Sequence, residues 1–198
     1  MSEWEGVALG DLVEVHDSRR VPLSKIARAG RQGPYPYLGA QGVIDHIDDF
    51  IFDGEFLLVA EDGENLRSRR EPIARLASGR FWVNNHAHIL SSRPGLADDR
   101  FLLHLINHIP LGGRVTGSAQ PKLTQTSLLE LAVPCPSFVT QRRIAGVLSA
   151  FDELIEINER RIELLEDLAR SLYREWFVHF RFPGHEDAEL VDSEVFPT

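Results

Sequence analysis

From Val139 to about His179 the chain contains no proline and a single glycine, Gly146, and its apolar residues recur at helical spacing. One long helix satisfies that pattern. At ~1.5 Å per residue, about forty residues reach roughly 60 Å, whereas a compact domain built from everything before it is about 25 to 30 Å across. Such a helix cannot be covered along its whole length by its own domain. Ile144, Phe151, Asn158, Leu165 and Leu172 stand seven residues apart, and Leu148, Ile155, Ile162, Ala169 and Trp176 each follow four residues later, a seam of five heptads with one polar residue at its centre. Another copy of the chain would supply a matching seam, so a homodimer is expected through these positions. In an antiparallel, two-fold pair Asn158 meets its own copy near the axis, Phe151 faces Leu165 and Ile144 faces Leu172. A buried Asn pair fixes register and orientation at some cost in stability. A helix lying on its own domain is the competing explanation.

The remainder has another texture. Up to about Ser137 glycines, prolines and short apolar runs alternate, as strands and loops do. FLLVA (56 to 60), GRFWVN (79 to 84), HAHILSS (86 to 92) and LAVP (131 to 134) are expected as strands because they are rich in aromatic and β-branched residues. Two short helices are expected: DDRFLLHLINHI, capped by Asp98 or Asp99, with Phe101, Leu102, Leu105, Ile106 and Ile109 on one face, and SLLEL, capped by Thr124 or Thr126. The fold class is therefore a mixed α/β domain over 1–137, a long coiled-coil-forming helix over 138–182, and an acidic, loose tail over 183–198. Pro134 and Pro136 stop what precedes the helix, and Pro183 and Gly184 end it.

Cys135 is the only cysteine, which excludes an internal disulfide and a cysteine-built zinc site and fits a reducing, cytoplasmic compartment. No basic segment followed by an apolar stretch opens the chain, and no apolar run approaches the roughly 20 residues that span a bilayer, so a soluble protein without membrane contact is expected. The formal charge of −9 disfavours a protein that coats nucleic acid by bulk charge. Its distribution weakens that objection: the tail after Phe182 carries −5 (five acids, no lysine or arginine) and 138–182 carries −1 (eight acids, seven bases), leaving −3 on the first domain.

Four independent strings occur in an ordered set: GPYPYLGAQGVIDHIDDFIFDGEFLLVAEDG (33 to 63), FWVNNHAHIL (81 to 90), GSAQPKLTQTSLLELAVPCPS (117 to 137) and QRRIAGVLSAFDELIEINERRIELLEDLARSLYREWFVHF (141 to 180). Together, from about Leu9 to Phe182, they resemble the specificity subunit of type I restriction and modification systems. The resemblance implies a target recognition domain that reads one half of a bipartite site in double-stranded DNA. It also implies a conserved helix that acts as spacer and docks the methyltransferase subunits and, through them, the restriction subunit. A full subunit carries two such units and this sequence carries one, so it looks like a half subunit whose missing half a second copy would supply.

Basic residues bunch locally. RRVPLSKIARAGR (19 to 31) holds five basic side chains and no acid, and LRSRREPIARLASGR (66 to 80) holds five with one acid. Arg19, Arg20, Lys25, Arg31 and Arg67 are the candidates for phosphate contacts, with solvated surface as the alternative. GGRVTGSAQPKLTQ (112 to 125) offers three glycines for close backbone approach and Ser118, Gln120, Lys122 and Thr124 as hydrogen-bonding groups, so it is the candidate for base contact. Tyr35, Tyr37 and Gln41 either pack under the sheet or face the duplex. His86 and His88 alternate along a strand and His104 and His108 sit one turn apart, but no third ligand accompanies them, so no metal is expected. Asn84, Asn85 and His86 are read as loop or DNA-facing polar groups.

No catalytic machinery is evident. Neither Lys25 nor Lys122 follows an acid by two positions, as a metal-dependent nuclease site would need. No Asn/Asp-Pro-Pro-aromatic motif, no GxGxxG-like loop and no G-x-S-x-G occurs, so methyl transfer and nucleophilic hydrolysis lack their residues. A non-catalytic subunit without a cofactor is expected, its chemistry supplied by partners. The alternatives are a helical adaptor or an inactive truncated specificity subunit.

Overall fold

The computed structural model describes residues 4–188; the acidic tail beyond Ala188 lies outside them. Two compact units divide between Ser149 and Ala150. In the first, β1 (Gly6–Ala8), α1 (Leu9–Leu12) and β2 (Val13–Val15) lead through a 3-10 turn at Asp17–Arg19 to α2 (Lys25–Ala29). A hairpin of β3 (Gln32–Gly39) and β4 (Gly42–Ile47) precedes β5 (Phe52–Ala60), α3 (Asn65–Ser68), β6 (Ala74–Val83) and β7 (Ala87–Ser92). Then come α4 (Asp99–His108), β8 (Val115–Thr116), β9 (Lys122–Leu123), α5 (Gln125–Leu129), β10 (Ala132–Pro134) and the start of α6 (Phe138–Tyr173).

Six strands form the central sheet in the order β2-β7-β5-β6-β3-β4, antiparallel except where β3 runs parallel to β6 at Tyr37 and Leu38. Two minor ladders pair β1 with β10 and β8 with β9. The longest ladder joins β5 to β6 from Phe52 opposite Phe81 to Val59 opposite Ala74. Successive side chains on a strand point to opposite faces. Thus Leu57, Val59 and Leu90 enter the main core with Phe101, Leu102 and Ile106 of α4, while Phe52, Leu58, Phe81, Val83 and Ile89 build a second cluster. From Leu57 to Ala60 both faces of β5 are buried, which is why FLLVA is uniformly apolar instead of alternating.

The caps come from the expected residues. The Asp98 carboxylate accepts from the Arg100 and Phe101 amides to start α4, and the Thr124 hydroxyl accepts from the Ser127 amide to start α5. At the start of α6 the buried Gln141, 1% exposed, accepts from the Asp98 amide at 3.1 Å and donates to the Leu96 and Pro136 carbonyls at 3.0 Å each. That side chain ties the first turn of α6 to the start of α4.

The second unit contains α6 from Ala150 onward. The α-helix ends at Tyr173 and is followed by a π-helical turn at Arg174–Val178, with the His179 amide bonded to the Arg174 carbonyl at 2.9 Å. The single long helix expected up to about His179 is thus present, its last turn π-helical in place of α-helical. A π turn advances each residue by less than the α-helical 100°, so Trp176 falls off the line set by the preceding heptads. Leu148, Phe151, Ile155, Ile162, Leu165 and Leu172 are exposed, as is Trp176. Ile144 differs, since it packs against the main core of the first unit. A second apolar line, Val147, Leu154, Ile157, Leu164 and Leu168, is exposed as well.

Candidate nucleic-acid interface

Three turns come together: the β3–β4 turn with Gln41, the turn after β5 with Asp62 and Gly63, and the β6–β7 turn with Asn84, Asn85 and His86. They line an open cleft of about 530 Å³, whose walls include Gln41, Val43, Ile44, Asp62 and His86. Gln41, Asn85 and His86 are exposed, and so are Val43 and Ile44. His86 Nδ1 lies 2.7 Å from Asp62 Oδ2. Asn84 is corrected as a DNA-facing group: it is 7% exposed, and its Oδ1 accepts from the His86 amide at 2.9 Å, bracing the turn from inside. His86 lies in that turn and not on β7, so the expected alternation of His86 and His88 along one strand does not arise.

The 117–125 segment is fastened beside this cleft. The Gly63 amide donates to the Pro121 carbonyl at 3.0 Å and the Leu123 amide to the Glu61 carbonyl at 2.8 Å. Lys122 Nζ pairs with Glu61 at 3.1 Å, and the opposite oxygen of Glu61 takes Arg20 at 2.9 Å. Ser118 and Gln120 are exposed between these anchors, and Arg67 donates to the Gly117 and Ser118 carbonyls. Lys122 keeps about half of its side chain exposed. Thr124 is exposed too, but its hydroxyl is engaged in capping α5.

Beneath the loop runs a network that sequence reasoning missed. Asp17 Oδ2 lies 2.7 Å from His88 Nδ1, and its Oδ1 accepts from the Ile89 amide at 2.8 Å. His88 Nε2 lies 2.9 Å from the Leu123 carbonyl oxygen; a carbonyl only accepts, so Nε2 donates. Burial pushes the Asp17 carboxyl up, yet the bonds from His88 and the Ile89 amide, with the His88 and Arg20 charges, outweigh it and hold Asp17 below the usual carboxylate range. Glu61 behaves alike, its burial overcome by Arg20 and Lys122. Asp17 and Glu61 carry no local motif, and apart from Arg20 beside Asp17 their partners are dozens of residues away in sequence.

Those contacts change the reading of the basic cluster. Arg20 is corrected as a phosphate contact, because it is mostly buried and bonds Glu61, Asp17 and the Ala87 carbonyl. Arg19 donates to the Ile51 carbonyl at 2.8 Å and stacks over Phe52, and Arg31 pairs with Asp48 at 2.9 Å and lies over Trp82. Lys25 is exposed on α2. Tyr37 takes the packing alternative: it is 1% exposed in a small cluster with Ile47 and Trp82, and its hydroxyl accepts from the Leu23 amide at 3.0 Å. Tyr35 is half-buried against Phe50. His88 is buried, and His108 Nδ1 bonds the His104 carbonyl, so these side chains have ordinary protein partners.

Residues 1 to 167 match the family model of the type I restriction modification DNA specificity domain. The chain belongs to that family. A putative type I restriction enzyme specificity subunit of Haemophilus influenzae, S.HindORF215P, is 31% identical over 153 residues, covering 77% of this chain and 38% of the relative. The MjaIX specificity subunit of Methanocaldococcus jannaschii is 44% identical over 79 residues, 40% of this chain and 18% of the relative. The crystal structure of the type I restriction-modification S subunit from M. genitalium shares the fold, with a TM-score of 0.70 at 19% identity, over 89% of this chain and 46% of that one. The chain thus spans less than half the length of these relatives. A mixed α/β domain followed by a long helix is the fold of a specificity domain, as the resemblance implied. Among the described residues no helix is long and apolar enough to cross a membrane.

Proposed function

We propose that this chain selects the target sequence in double-stranded DNA for a type I modification and restriction complex, acting as a homodimer. Membership of the specificity family over residues 1 to 167 carries the reading. The surface offers suitable chemistry: Gln41, Asn85, His86, Ser118, Gln120 and Lys122 are exposed hydrogen-bonding groups around or beside the cleft. Gln and Asn can bond adenine bidentately and Lys can bond guanine, while Val43 and Ile44 suit a thymine methyl. Lys25 and Arg70, both exposed, supply positive charge toward phosphates, which orient the protein without reading sequence, while Arg19 and Arg31 are turned onto the protein.

The heptad seam of α6 pairs two copies, and the length of the paired helices sets the separation of two identical recognition domains. The second apolar line, from Val147 to Leu168, remains for the methyltransferase subunits, through which the restriction subunit joins. Catalysis belongs to those partners. Identical domains related by a two-fold require an inverted-repeat target with a fixed nonspecific gap. Mapping DNA methylation in a host that expresses the chain with its modification subunit tests this. An inverted repeat is the expected result; an asymmetric bipartite motif rules out the homodimer, and no motif removes the specificity role.

A further inference from the structure

Arg67, a phosphate candidate by sequence, turns its guanidinium onto the protein. Its Nη2 donates to the Gly117 carbonyl and its Nη1 to the Ser118 carbonyl, the latter at 3.2 Å. The platform from which it reaches is fixed on both sides. Leu66 is buried, Asn65 Oδ1 accepts from the Glu71 amide at 2.9 Å, and Arg69 Nη2 donates to the Ile106, Asn107 and Ile109 carbonyls at the C-terminal end of α4. Arg69 holds a left-handed backbone (φ 52°) in doing so.

The far end of the loop is equally constrained, by Gly63 to Pro121, Glu61 to Lys122 and His88 to Leu123. Between the anchors the chain turns sharply at Gly117, whose φ is +83° and whose missing Cβ would lie 2.2 Å from the Gln120 carbonyl oxygen. Only glycine fits there. Ser118, Ala119 and Gln120 are left exposed on a backbone already held in shape. A loop ordered in advance loses less conformational entropy when it binds, and groups held in place discriminate better between bases. The planar guanidinium fork meets two successive carbonyls at once, which the single point charge of lysine cannot do.

We infer that Arg67 is a positioning residue for base reading: it holds the Gly117–Gln120 loop in its presenting shape and does not contact phosphate. The inference rests on the specificity reading and names the part of the surface that reads. The test selects from a randomised duplex library with the full chain and a type I modification subunit from the same genome, comparing wild type with R67A, R67K and S118A/Q120A. The two Arg67 variants and the loop variant should relax the same base positions, with discrimination falling roughly tenfold, as for loss of one bidentate base contact. The slope of log affinity against log salt should not change, and R67A combined with S118A/Q120A should lose less than the two separate losses together.

A salt slope shallower by about 0.9 with the motif intact would make Arg67 a phosphate contact and overturn the inference. So would an unchanged motif with an unchanged slope, or relaxation at other positions. R67K keeps the charge and guards against a folding defect: a relaxed motif at the wild-type thermal midpoint supports positioning, and relaxation confined to an R67A protein of lowered midpoint overturns it. If wild type enriches no motif, the specificity reading itself fails, and the loop's role with it.

Discussion

Replacing Asp17 by alanine would strike the network beneath the 117–125 segment at its most connected point. One oxygen holds His88 at 2.7 Å and lies 3.4 Å from Arg20, and the other holds the Ile89 amide at 2.8 Å. The side chains of His88 and Asp17 are 2% and 9% exposed, so water cannot take the place of the carboxylate without local opening. Breaking a buried pair from one side costs about 3 to 5 kcal/mol, and an orphaned buried amide about 1 to 3 kcal/mol. Arg20 retains Glu61 and recovers part of this, so D17A should lose ~4 kcal/mol, a large share of the ~5 to 15 kcal/mol available to a domain. D17N keeps one acceptor for the Ile89 amide and should lose ~2 kcal/mol. Urea unfolding followed by tryptophan fluorescence, at one protein concentration because association is linked to stability, reads both values. A loss below ~1 kcal/mol for D17A would refute the buried-network argument. Acid provides a second reading. A carboxyl held low in the folded state gives stability that is complete above its unfolded value and disappears as pH falls through the lower, folded value. Asp17 and Glu61 are both held low, so wild type should weaken below the usual carboxylate range more steeply than D17N. Equal slopes there would count against Asp17.

Gln141→Leu should cost ~2 to 3 kcal/mol in the same assay, because it leaves the Asp98 amide and the Leu96 and Pro136 carbonyls without their buried partner; a change under ~0.5 kcal/mol would show that these groups find other partners. For the homodimer, a C135S background carrying F151C mixed with one carrying L165C should give a mixed disulfide under mild oxidation, since the antiparallel pairing faces these positions. Efficient linking of F151C to itself would indicate parallel helices. Leu164→Glu, on the second apolar line, should abolish capture of the modification subunit while sedimentation still reports a dimer; loss of the dimer instead would merge the two seams into one function.

Legibility from sequence followed how locally each feature is encoded. α4 and α5 could be read because a cap and a periodic face lie within a dozen residues, and α6 because nothing interrupts its period. The β3–β4 hairpin was not read as strands: GPYPYLGAQGVIDHI is broken by proline and glycine, and its ladder shifts register twice. Those irregularities have physical grounds, since a Cβ on Gly33 would lie 2.4 Å from the Asp48 Cα. α1, α2 and α3 are too short to show a period. At the candidate site, Ser118 and Gln120 were legible as polar groups in a glycine-rich turn, while Gln41 stays open in sequence between packing under the sheet and facing the duplex. Asp17, Glu61 and Asp62 were not, since each acts through a partner brought close only by the sheet. Val43 and Ile44 gave no signal, because an apolar pair beside a turn carries no mark of its exposure.

Salt dependence offers the sharpest separation between counting arginines and placing them. Of the five basic residues in 19 to 31, four are committed to the protein: Arg19 to the Ile51 carbonyl, Arg20 to Glu61, Arg28 to Asp45 and Arg31 to Asp48. In the second cluster Arg67 and Arg69 hold backbone carbonyls and Arg80 pairs with Asp53. Bunched arginines here neutralise carboxylates and cover aromatic rings such as Phe52 and Trp82. If all ten basic residues of both clusters met phosphates, log affinity would fall with log salt at about −9 per copy, from about −0.9 for each contact. With eight of the ten engaged, Arg75 with Glu71 among them, Lys25 and Arg70 would set a slope of about −2 per copy. Filter binding of the full chain with its modification subunit, on a duplex carrying the mapped target across a series of salt concentrations, measures it. A slope steeper than about −6 per copy would mean that the ion pairs open onto DNA, and the internal role assigned to these arginines would then describe only the free protein.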